Sequence, residues 1–89
     1  MKKITITNSF KKEFQKMLKR GKNPDKFCEV LTLLSNDKLL PIKYKDHPLR
    51  GNFKDSRDLH IEPDWILIYR IKGEELILER TGTHSDLFR

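Results

Sequence analysis

Three histidines, His47, His60 and His84, lie in the second half of an 89-residue chain, none of them on an apolar helix face. An imidazole titrates near pH ~6.5, so it can give or take a proton at neutral pH. Asp64 and Arg80 accompany them. A guanidinium can hold a phosphate through two parallel hydrogen bonds. This is an inventory for acid–base chemistry on phosphate esters. RNA brings its own nucleophile, the 2′-OH, so its cleavage needs a base, an acid for the departing 5′ oxygen and a cation. Each positioned proton-transfer group contributes roughly 10²- to 10⁴-fold. Three His and one Asp could also hold zinc, but His60 and Asp64 straddle Pro63 and no His-x3-His or Cys-x2-Cys spacing occurs. No metal or other cofactor is therefore expected.

What positions these groups is the stretch His60 to Tyr69. A polar segment runs into the most hydrophobic one of the chain, where Trp65, Leu67, Tyr69 and Ile71 share one parity and Ile66 and Ile68 the other. A strand apolar on both faces belongs in the middle of a sheet, covered on both sides. Pro63 cannot donate to a ladder and marks where regular pairing stops. His60 and Asp64 then flank the start of a rigid strand.

The rest of the chain predicts an α+β fold of one small domain, residues 1–89. Lys2–Thr7 reads as a strand with Ile4 and Ile6 inward, and Asn8 or Ser9 as a helix cap. Phe10, Phe14, Met17 and Leu18 follow at one-face helical spacing, with Lys12, Lys16 and Lys19 opposite and Gly21 as the stop. Asn23-Pro24-Asp25 opens a second helix that buries Phe27, Val30, Leu31 and Leu34, fraying near Ser35–Asp37. The short joint predicts an antiparallel helical hairpin. Cys28, the single cysteine, precludes an internal disulfide and reads as a small buried residue.

Lys38–Pro48 reads as a loop in which Lys43, Tyr44, Lys45 and His47 mix cations with a ring able to stack on a base. Short strands are expected over Leu49–Phe53 and Ser56–Ile61, the latter turning His60 outward if Leu59 and Ile61 face the core. The Trp65–Ile71 strand, a hairpin at Lys72–Glu75 and a return over Leu76–Thr81 complete an antiparallel meander. Arg80 shares parity with Leu76 and Leu78, so it should start near a packed face. Both helices precede the meander and should cover one face of a twisted sheet, leaving the other partly open.

The net charge is +6, with thirteen Lys/Arg against five Asp/Glu in residues 1–50 and six against eight in residues 51–89. A basic first half suits a polyanion. Nothing approaches the ~20 apolar residues of a membrane span, and no targeting signal is visible, which points to the cytoplasm.

Three separated segments carry a resemblance. Tyr44-Lys45-Asp46-His47-Pro48-Leu49, then Arg57-Asp58-x-His60-x-x-Pro63-Asp64-Trp65-Ile66-Leu67-Ile68-Tyr69, then Glu79-Arg80-Thr81-Gly82-Thr83-His84-Ser85-x-Leu87-Phe88 resemble, in order and spacing, the YafQ-type branch of the RelE/ParE superfamily of bacterial type II toxins. The resemblance implies a RelE-like fold and a ribosome-dependent mRNA interferase, acting in the ribosomal A site and held inactive in a hetero-oligomer with a cognate antitoxin. It implies acid–base roles for His47, His60, Asp64 and His84, with His84 favoured as general acid, and a phosphate-stabilising role for Arg80. It also implies an RNA site lined by Trp65 and Phe88, beside Lys45. One position departs: the residue before Arg57-Asp58 is usually aromatic and is Ser56 here, which bears on packing beside the site or on a base contact. The acidic residues of an antitoxin would find acceptors in Lys12, Lys16 and Lys19. Two other readings stand beside this one. A ParE-like gyrase inhibitor would not require the histidines, and a plain RNA-binding module would bind with steep salt dependence and cut nothing.

Overall fold

The structure, a computed structural model, describes residues 2–36, 38–48 and 55–88. Strand β1 (Lys3–Ile6) leads into helices α1 (Asn8–Lys19) and α2 (Pro24–Ser35). A single 3₁₀ turn (Ile42–Tyr44) and strand β2 (His47–Pro48) precede strands β3 (Arg57–Glu62), β4 (Trp65–Lys72) and β5 (Glu75–Gly82), and a short helix α3 (His84–Phe88) follows. The sheet order is β1-β5-β4-β3-β2, which puts β4 in the middle as its double apolar pattern requires. The strands from β2 to β5 are antiparallel neighbours. β1, however, pairs parallel to β5, so the sheet is mixed and not a pure meander.

Local signals account for the helix ends. Thr7, one residue ahead of the expected cap, accepts the Phe10 N–H on its hydroxyl. Gly21, at φ 90°, closes α1: its N–H donates to Leu18 and that of Lys22 to Met17, the paired bonds of a left-handed stop. Asn23 caps α2 through the Asp25 N–H, with Pro24 in the first turn.

One core fills the space between the helices and the sheet. Phe10, Met17, Phe27, Val30 and Leu34 pack on Leu59, Ile61, Trp65, Leu67, Tyr69, Leu76 and Leu78. The rings of Phe10 and Phe14 stack on each other and meet Phe27. A second, much smaller cluster lies on the opposite face: Ile66, Ile68 and Leu87 of α3. The face expected to be partly open is thus partly covered by a helix that the sequence reading left as tail.

Several expectations need correcting. Leu18 is exposed, and Ile4 and Ile6 are 42% and 49% exposed on β1, which lies at the edge of the sheet. Cys28 is exposed, since the buried stripe of α2 runs through Phe27, Val30 and Leu34 and the cysteine falls beside it. His47–Pro48, expected as loop, is an edge strand, where a proline is tolerated. The strand expected over Leu49–Phe53 lies outside the described residues.

Candidate active site

Residues paired across a ladder share a face, and this register gathers the site. His47 pairs with Asp58, Asp58 with Ile68, and His60 with Ile66. All therefore stand on the sheet face of the small cluster, turned away from the large core. Leu59 and Ile61 take the other face, so His60 points as the alternation predicted.

Helix α3 brings His84 over this face, and the sequence offered a signal for it. In Thr83-His84-Ser85-Asp86 the Thr83 hydroxyl accepts the Asp86 N–H while the Asp86 carboxylate accepts the Thr83 N–H. This is a reciprocal helix cap. Asp86 also binds Arg20 at 2.8 Å, and these donors hold its carboxyl well below the usual range. Gly82 lets the helix approach, since a Cβ there would sit 3.0 Å from the Cβ of Asp86.

The three imidazoles form a row. His60 and His84 are 5.2 Å apart between ring centres, edge to face, and His47 is 6.4 Å from His60. Asp64, in the turn between β3 and β4, accepts both the backbone N–H of His84 at 3.0 Å and its Nδ1 at 2.9 Å. Those two bonds push the Asp64 carboxyl below its ordinary value, so it stays an acceptor. His84 must then carry its proton on Nδ1, which leaves Nε2 free to exchange one with a ligand. His60 is part-buried, and its burial lowers its pKa more than the Asp58 charge raises it; His84, Lys45 and His47 lower it further. It is thereby biased to the neutral form. The ring of Phe88 lies 6.2 Å from that of His84.

A cavity of about 650 Å³ opens beside this row, lined by His60, His84, Lys26, Lys43, Lys45 and Glu62 among others. Tyr44 also lines it, but its ring is buried, with the hydroxyl on Glu29 at 3.0 Å, so it is not the free stacking platform expected. Lys43 and Lys45 came from the interleaved loop. Lys26 and Glu29 were missed, because nothing in the sequence ties α2 to the end of β3. The link is Glu62, which binds Lys22 at 2.9 Å and Lys26 at 2.8 Å.

Two expected site residues sit elsewhere. Trp65 is fully buried and donates its indole N–H to Thr81 at 2.9 Å, which in turn donates to the carbonyl of Ile66. It is a core residue under the site and presents no ring to a ligand. Arg80 lies outside the cavity of His60 and His84. A register shift on β5 sets Leu78 opposite Tyr69 but Arg80 opposite Ile68, so Arg80 does not share the face of Leu76 and Leu78. Its guanidinium is forked by Glu13 of α1, and it lines a separate pocket of about 230 Å³ with Lys16, Met17 and Asp86. Ser56 is likewise no base contact: it is buried and donates to Glu79, the residue at that shift. Among the described residues no three His, Cys, Asp or Glu groups are placed to hold a metal ion.

The family model described as "Bacterial toxin of type II toxin-antitoxin system, YafQ" matches residues 2–89. The chain belongs to the YafQ family of type II toxins. It is 48% identical over 86 residues to the mRNA interferase toxin YafQ of Escherichia coli K12, covering 96% of this chain and 94% of that one. The crystal structure of YafQ from E. coli BL21(DE3) superposes with a TM-score of 0.94 at 44% identity, covering both chains fully. YafQ in the crystal structure of the E. coli DinJ–YafQ complex superposes at 0.92, also at 44% identity over the whole of both chains. The YafQ-type resemblance of the three motifs and the α+β expectation are both borne out.

Proposed function

We propose that this YafQ-family toxin is a ribosome-dependent endoribonuclease that acts in the cytoplasm as a single domain, residues 1–89, and cuts translated mRNA by attack of the 2′-OH on the adjacent phosphate. His60, biased to the neutral form by burial, takes the 2′ proton. His84, oriented by Asp64 on Nδ1, delivers a proton from Nε2 to the departing 5′ oxygen. Lys45 and Lys43 at the cavity rim hold the phosphate backbone, and Phe88 lies against a base. Trp65 supports the floor through Thr81. Arg80 reaches the phosphate by exchanging Glu13 for phosphoryl oxygens. His47 completes the row. The carrying observation is the closeness of His60 and His84, 5.2 Å apart at a cavity rimmed by lysines, in environments that set one up as acceptor and the other as donor.

The partner that silences the toxin is an antitoxin protein, as the E. coli relative is found with DinJ. The exposed Lys12 and Lys19, with Lys16 between α1 and Asp86, are its acceptors for acidic residues.

Primer extension on a defined mRNA in a reconstituted translation reaction tests the reading, with ribosome-free and His84→Ala controls. Cuts that need ribosomes and vanish in the folded variant are expected. Cutting of naked RNA would remove ribosome dependence and keep the nuclease. No cutting by a folded protein would return the question to gyrase inhibition or simple RNA binding.

A further inference from the structure

Asp46, Arg57 and Tyr69 come from two of the three motif segments, yet none of them lines the cavity of His60 and His84. They meet one another. Arg57 on β3 and Tyr69 on β4 are ladder partners, and Tyr69 belongs to the large core, so both stand on the face opposite the histidines. Asp46 immediately precedes β2, the edge strand. Its Oδ1 accepts the Tyr69 hydroxyl and, at 3.2 Å, the Arg57 Nε–H; its Oδ2 accepts from Nη2 of Arg57 at 3.1 Å. The Tyr69 ring is buried, and burial followed by the bond to Asp46 pushes its phenol well above the ordinary value, so the hydroxyl stays a donor. One carboxylate thus ties the edge of the sheet to its central strand.

The residues on either side of Asp46 belong to the site. Lys45 lines the cavity, and His47 stands in the histidine row. Lys45 has φ 51°, a left-handed conformation that a residue with a side chain keeps only where its surroundings enforce it. Its N–H donates to the carbonyl of Ile42 at 2.9 Å, and its own carbonyl accepts from Nδ1 of His47 at 2.6 Å. Lys45, Asp46 and His47 therefore move as one piece. Resting on the nuclease reading above, we propose that Asp46 is a positioning residue for the reaction: anchored on Tyr69 and Arg57, it holds Lys45 at the cavity and His47 in the row. The buried side of the sheet thereby places two groups of its exposed side, through a carboxylate that does not line the cavity itself.

Single-turnover cleavage on ribosomes is the first test. Asp46→Ala should cut roughly 10²-fold more slowly, the scale of a misplaced group. Asp46→Asn keeps an oxygen that can accept from Tyr69 and should lose clearly less. Backbone spectra and denaturant melts verify the fold, and Asp46→Ala combined with Tyr69→Phe removes the stranded hydroxyl should the single variant unfold. A double-variant cycle separates positioning from stability. Beside Lys45→Ala or beside His47→Gln, Asp46→Ala should cost several-fold less than it does alone, because a group it places is already gone. An undiminished cost on both backgrounds, or a wild-type rate in folded Asp46→Ala, would overturn the proposal.

Hydrogen exchange in the free protein supplies the second readout. Tyr69→Phe with Arg57→Gln removes the anchor from its far side and leaves the loop sequence intact. The Lys45 amide and the Nδ1–H of His47 should then exchange faster with solvent, while the amides of β5 keep their protection. Unchanged exchange at both groups would overturn the proposal. If the wild type cuts nothing, the nuclease reading falls, and exchange alone decides whether Asp46 sets the place of Lys45 and His47.

Discussion

The two faces of β4 do different jobs with different amounts of material. On one, Trp65, Leu67 and Tyr69 are locked against α1 and α2 in a core of thirteen buried residues. On the other, among the described residues, Ile66 and Ile68 form a small cluster with Leu87, and the same face carries His47, Asp58 and His60. Polar groups on the deep face would need partners for every lone pair. On the thin face the imidazoles stay within reach of solvent and substrate while their backbone is as rigid as the centre of the sheet. Placing chemistry on the sparsely covered side of a well-buried strand gives precision without burying the titrating atoms.

The sharpest test of this contrast is His84→Ala. Cleavage should fall by about 10²- to 10⁴-fold, the usual worth of a proton-transfer group, with the melting temperature nearly unchanged because His84 is exposed. A comparable loss of stability would mean that the thin face is structural after all. Next comes the pair Leu67→Ala and Leu87→Ala. Truncating a buried leucine costs about 2–5 kcal/mol, and Leu67, 0% exposed in the large cluster, should fall at the upper end. Leu87, 8% exposed in a cluster of three, should fall at the lower end yet lose more activity per unit of stability, since it anchors the helix that carries His84. Denaturant melts alongside single-turnover rates separate the two.

A smaller effect is expected in the pH profile. His60 titrates below the ordinary histidine value because burial disfavours its charged form. The rate should therefore rise with pH through a limb centred below ~6.5, and that limb should disappear in His60→Gln; a limb centred above the ordinary value would contradict the burial assignment. Cys28→Ser on the solvent side of α2 should change stability by no more than about 0.5 kcal/mol, as surface substitutions usually do, checked by the same melts.

How much of this was legible depended on the range of the signal. The doubly apolar run from Trp65 fixed the central strand, and Asn23-Pro24-Asp25 and Gly21 fixed helix ends, because each acts on its own neighbours. His60 was placed on the correct face by simple alternation. Arg80 was misplaced by the same rule: the register shift at Glu79 has no glycine or proline to announce it. Helix α3 has five residues, too few for a helical period to stand out, although its reciprocal cap is written in Thr83 and Asp86. Cys28 illustrates the limit of spacing, since a residue one position off a buried stripe is on its shoulder. Asp58 was legible as a strand residue and illegible as a buried acid, because only the pairing of β2 with β3 puts His47 above it.

The parallel pairing of β1 with β5 has a consequence for synthesis. Lys3–Ile6 align with Glu75–Leu78, so the first strand to leave the ribosome waits for nearly the last. A nascent chain that has reached Lys72 can form both helices and the β3–β4 hairpin, but β1 has no neighbour and His84 does not yet exist. Closing contacts across some seventy residues is the slow kind of step. The histidine row is completed at the same stage as the sheet. Translation of this toxin therefore yields an unarmed chain for most of its duration, and a partner that captures the exposed edge before β5 arrives would meet the protein while it is still harmless.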